Sequence, residues 1–150
     1  MAISGDTFIR DILFFIKNDF LSNISDPLVS ERKDASRFVM TSYPQRLVEY
    51  PLVTLKVVDY GGTRAGMQTN AMDIRVNIEI RVWGRNQKEK DEISNDCYIR
   101  LRDIQFTATD GSVANNLHDF TLISSVELDE DGEEQPKSRV LNVGYSFFDL

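Results

Sequence analysis

One cysteine and one histidine are spread over 150 residues, and each scarcity closes a class of function. Cys97, being alone, allows no intramolecular disulfide and no cysteine-built zinc site. His118, also alone and next to Asp119, gives Cys97 no catalytic partner and reads as an exposed polar residue in a loop. No apolar run reaches the ~18 residues needed to cross a bilayer, and Met1-Ala-Ile-Ser-Gly-Asp6 lacks the basic-then-apolar order of a secretion signal. The expectation is a protein made in the cytoplasm with no membrane partner. A basic footprint is missing too: 17 Lys and Arg stand against 24 Asp and Glu, a net charge of -7. Asp129, Glu130, Asp131, Glu133 and Glu134 crowd into one turn, and without those five the balance is -2. Tight, sequence-independent binding to nucleic acid is therefore not expected.

What is there is ordinary for a soluble globular protein: 41% hydrophobic and 27% charged residues, enough chain for one domain over residues 1–150. Its organising stretch runs from Met72 to Phe106. Met72, Ile74, Val76, Ile78, Ile80 and Val82 alternate without a break against Asp73, Arg75, Asn77, Glu79, Arg81 and Trp83, the period-two signature of a strand with one apolar face. Twelve such residues would reach roughly 40 Å, about twice the usual strand length. Gly84 turns the chain into a helix with Asn86 as its cap and Glu89 at the spacing of a capping box. Ile93, Cys97, Leu101 and Ile104 then form a stripe to lie on the sheet, and Cys97 on that stripe reads as a small buried hydrophobe rather than a nucleophile.

Around this centre, Ser4, Gly5 and Asp6 signal the start of an N-terminal helix with Phe8, Ile9, Ile12, Leu13, Phe15, Ile16 and Phe20 on a broad apolar stripe, and Asp26-Pro27 breaks it. Arg37–Ser42 reads as a short strand and Pro51–Tyr60 as a second. Gly61–Asn70 is rich in small and polar residues and reads as a mobile loop. After a turn at Thr109–Ser112, Phe120, Leu122, Val126 and Leu128 begin a fourth strand. Arg139, Leu141, Val143, Tyr145 and Phe147 form the last, joined to it as a hairpin through the acidic connection Asp129–Pro136. The expected fold is α+β, a mostly antiparallel sheet of about five strands flanked by an N-terminal and a central helix, in the order α-β-β-β-α-β-β.

Chemistry is sparse. Gly61-Gly-Thr-Arg-Ala-Gly66 lacks the lysine and Ser/Thr of a P-loop, and no helix follows it. The acidic turn lacks the alternating ligands of an EF-hand and reads as a solvated hairpin tip. The sharpest enzyme alternative is a magnesium-dependent nuclease with Asp59 and the pair Glu79-Ile-Arg81. Arginine is a poor substitute for the lysine such a site uses, and the alternating charges are those of any solvated strand face. No catalytic, cofactor or metal residue is expected.

The run of an N-terminal helix, the strand Tyr50–Tyr60, a glycine-rich loop, the strand Asp73–Gly84, the polar helix start Asn86–Ile93 and the segment Tyr98–Ile104 resembles tail terminator proteins, also called tail completion proteins, of tailed bacteriophages and tailed archaeal viruses. The resemblance covers nearly the whole chain in length and element order. It implies a structural virion protein, not an enzyme, assembled in the host cytoplasm. Its subunits form a hexameric ring at the head-proximal end of the tail tube, which ends tube growth and offers the surface for the head's connector. Implied partners are copies of the chain, the tube protein, the connector protein and DNA that passes through the lumen without tight binding. On that reading, Thr63, Arg64, Met67 and Gln68 contact a neighbour or the tube, and Arg75, Glu79, Arg81 and Trp83 pair with the next subunit. A head-side adaptor of the neck is the nearest alternative.

Overall fold

The computed structural model describes residues 6–45, 48–104, 117–128 and 137–149. Within them the chain forms α1 (Phe8–Asn23), a four-residue 3-10 turn (Ala35–Phe38), β1 (Val39–Met40), β2 (Leu52–Arg64), β3 (Met72–Gly84), α2 (Gln87–Asp103), β4 (His118–Leu128) and β5 (Lys137–Asp149). The five strands make one sheet in the order β1-β2-β3-β5-β4. Every pairing is antiparallel except β1 with β2. The fold is thus α+β in the order read from the sequence.

Alternation along β3 decides where the core lies. Ile74, Val76, Ile78, Ile80 and Val82 are all buried on the inner face, opposite Phe147, Tyr145, Val143 and Leu141 of β5 and, on the other side, Leu55 and Val53 of β2. Ile12, Ile16 and Phe20 of α1 and Ile93, Cys97 and Leu101 of α2 close over them, all fully or nearly fully buried. Each such aliphatic or aromatic side chain contributes about 1.5–3 kcal/mol by leaving water, so the two helices are held mainly by these stripes.

Polar ties fix the register of the layers. Tyr145 donates its hydroxyl hydrogen to the Leu101 carbonyl, joining β5 to α2, and burial raises that phenol's pKa. The Arg32 guanidinium, buried, donates to both carboxylate oxygens of Asp26 (2.7 and 3.0 Å) and to the carbonyls of Glu49 (3.0 Å) and Pro51 (2.6 Å). That cation fastens the segment between α1 and β1 to the entrance of β2. The polar run Glu31–Asp34 therefore holds a buried hub.

At the head of α2, Asn86 Oδ1 accepts from the Glu89 N–H (2.9 Å), as expected. The returning arm differs from a capping box: Glu89 Oε1 accepts from the N–H of Arg85 (3.1 Å), one residue earlier. Gly84 is needed there because a Cβ would stand 2.8 Å from both Cβ and N of Lys90.

Two expectations are corrected. The strand expected over Arg37–Ser42 shrinks to Val39–Met40, because Asp34 Oδ1 accepts from Ser36 N–H and Oγ and coils the preceding residues into the 3-10 turn. The loop expected from Gly61 begins only after Arg64. Gly61, Gly62, Thr63 and Arg64 continue β2 opposite Arg75, Ile74, Asp73 and Met72. The turn at Thr109–Ser112 and the acidic connection Asp129–Pro136 lie outside the described residues.

Candidate functional site

The outer face of the sheet carries the polar half of β3, and Arg75, Asn77, Glu79, Arg81 and Trp83 each meet a neighbouring side chain or carbonyl there. Glu79 lies opposite Lys56, with Oε2 3.3 Å from the ammonium. Arg75 crosses β5 over Gly144, where a Cβ would come within 2.6 Å of its guanidinium. Its Nη1 donates to the Asp119 carbonyl (2.6 Å) and Ser146 Oγ (3.2 Å), so this residue ties three strands together. Arg81 lays its guanidinium over the Trp83 ring at 3.8 Å and donates to Ser138 Oγ at 3.3 Å. Tyr43 packs on the same indole, with ring centroids 5.1 Å apart. A cleft of about 360 Å³ opens beside them, between Thr41–Tyr43 and Thr54–Lys56.

Of the eight residues expected to meet a neighbour or the tube, Arg75, Glu79, Arg81 and Trp83 share this outer face. Thr63 and Arg64 stand at the end of β2 rather than in a loop. Met67 and Gln68 occupy the connection to β3, Met67 being 95% exposed and Gln68 having a left-handed φ of 59°. Asp129, Glu130, Asp131, Glu133 and Glu134 lie outside the described residues.

Asp59 and Glu79 do reach the same face of neighbouring strands. Asp59 Oδ1, however, accepts from Asn77 Nδ2 at 2.6 Å, and Glu79 faces Lys56. Among the described residues no group of three or more His, Cys, Asp or Glu side chains is placed to hold a metal ion. Cys97 is fully buried and its thiol is pushed up by that burial, so it offers no thiolate. His118 is corrected from a loop to the first residue of β4, where it stacks on Phe148 at 4.8 Å.

The feature the sequence did not announce is the backbone at the two ends of the sheet. β1 covers only Val53 and Thr54 of β2. From Leu55 to Arg64, β2 has β3 on one side and, among the described residues, no strand on the other. β4, among the described residues, borders β5 alone. Two long rows of peptide groups thus face outward. The apolar residues beside them, Val58 and Tyr60 on β2 and Leu122, Ile123 and Val126 on β4, are exposed. Natural sheets usually shorten, charge or cover such edges, because they pair with other chains. Alternation did suggest that β3 outgrew a small core, but nothing local in the sequence shows which strands end the sheet.

No family model matches the chain, and no curated protein matches it in sequence.

Proposed function

We propose that the chain is a tail terminator: a subunit of a hexameric ring that sits on the head-proximal end of a viral tail tube, ends its polymerisation and presents the joining surface for the head's connector. The observation that carries the reading is the pair of open sheet edges. A small α+β protein that exposes two rows of peptide groups flanked by apolar side chains is suited to assembly with copies of itself. The order of elements and the segments Tyr50–Tyr60, Asp73–Gly84 and Asn86–Ile104 support the family assignment through their resemblance to tail terminators.

The acidic balance supports the same reading. A wall of net negative charge lets DNA slide through a lumen, whereas a basic wall would hold it by counterion release. The reading needs no cofactor, and its partners are the tube protein, the connector and further copies of the chain.

The test is polymerisation of the tail tube protein that this reading assigns as partner, with and without the purified chain. Tubes should stop growing at lengths that shorten as the chain is added. Unchanged lengths at saturating chain would overturn the reading.

A further inference from the structure

We infer that copies of the chain join head to tail through their sheets, the outward edge of β4 in one copy adding to the open stretch of β2, Leu55–Arg64, in the next. This rests on the ring reading for its closure, but the pairing itself follows from three observations.

Polarity comes first. β2 runs antiparallel to β3, β3 to β5 and β5 to β4, so β4 runs opposite to β2. Rotation about an axis along the strands carries chain direction and sheet face unchanged from copy to copy. The neighbour's β4 therefore meets β2 antiparallel, the better-bonded arrangement, with helix-covered faces on the same side.

Length comes second. The open part of β2 holds ten residues and β4 holds eleven, so the two rows of peptide groups span nearly the same distance.

The third observation is an apolar receptacle at the right place. On the inner face, where the open edge of β2 meets the start of α1, a groove of about 560 Å³ has Phe8, Ile9, Leu13, Phe14 and Tyr60 in its lining, beside the polar Asp6, Thr7, Arg10 and Thr41. Phe14 and Tyr60 are 44% and 56% exposed. Phe8 supports the groove floor by packing on Tyr60 at 4.8 Å and on Phe147 at 5.3 Å. Leu122 of β4 stands opposite Val143 and so points to the inner face, yet it is 41% exposed. A neighbour's β4 added to β2 brings its Leu122 to the side on which this groove opens. Main-chain bonds would supply the pairing, and the apolar contact its register. A heterologous contact of this kind closes into a ring when the rotation allows it.

Ile123→Lys and Val58→Lys test this directly, because both side chains are 54% exposed in the subunit and leave the core untouched. Unfolding melts control for stability, and native mass spectrometry reads assembly with and without tubes. The wild-type chain should assemble beyond a dimer and each variant should be monomeric. An equimolar mixture of the two should form a 1:1 heterodimer and nothing larger, since one intact β2 edge and one intact β4 edge remain. A wild-type chain that stays monomeric even on tubes, single variants that assemble like wild type, or a mixture with no heterodimer would overturn the inference. Variants that still form tube-ending rings would refute the edge pairing alone. Edge-paired rings without effect on tubes would refute the tail-terminator reading alone.

Discussion

Arg100 of α2 grips Asp19 of α1 with both arms of its guanidinium, Nε at 2.8 Å from Oδ1 and Nη2 at 2.7 Å from Oδ2. The Asp19 side chain is only 5% exposed, and its hydrogen bonds raise the Arg100 pKa. The helices otherwise meet through few residues, so this fork sets how they lie side by side on the sheet. Asp19→Asn should lower the unfolding free energy by about 2 kcal/mol, because one arm of a charge-assisted pair is lost and a cation is left without its counter-charge. Urea melts of Asp19→Asn, Arg100→Met and the double variant should show the double losing clearly less than the sum of the singles.

Gly84 and Gly144 should respond differently to alanine. At Gly84 the new methyl meets the backbone of Lys90 at the head of α2, which cannot yield without moving the helix. A loss of about 1–3 kcal/mol is expected, as for other overpacked sites. At Gly144 it meets the far end of the Arg75 side chain, which can swing away. Gly144→Ala should therefore melt closer to wild type while breaking the bonds from Arg75 to Asp119 and Ser146, a change that a structure of the variant would display.

Acid should loosen the start of α2 through Glu89. Hydrogen bonds from the Arg85 side chain hold this carboxyl below its ordinary value of about 4.5, against the opposing effect of burial. A depressed folded pKa means that the stabilisation is present above that ordinary value and is lost as pH falls through the folded one. Arg85 is half exposed, so the pair contributes less than about 1 kcal/mol. Glu89→Gln should lower the melting temperature slightly at neutral pH and flatten the acid limb of melting temperature against pH.

Cys97 should resist thiol reagents while the chain is folded. Fully buried, with its thiol pushed up by desolvation, it presents no thiolate to an electrophile. Labelling by a disulfide reagent should follow the unfolding rate and become immediate in denaturant; rapid labelling under native conditions would contradict the packing described.

The centre of the fold was legible because its signals are local. Unbroken alternation from Met72 to Val82 gave β3, and Asn86 with the stripe Ile93, Cys97, Leu101 gave α2 and its buried face. What the sequence hid depends on partners far along the chain. Gly61-Gly-Thr-Arg64 looks like a loop because glycine disfavours strands, yet pairing with Met72–Arg75 keeps these residues extended. The outward edges of β2 and β4 follow from strand order, which no single segment states. Asp19 and Arg32 illustrate the same limit for charge: each looks solvated until Arg100, or Asp26 and two carbonyls, arrive from elsewhere. A charge within a helix's apolar stripe, as Asp19 is between Ile16 and Phe20, was the one available hint.

The most direct test of the proposed function is to mark the chain with a gold label and image it by electron microscopy on tubes of the tail tube protein that the proposal assigns as its partner. The account predicts a label at a single end of each finished tube and none along its length. Labels scattered along the walls, or absent from tubes that have stopped growing, would contradict it.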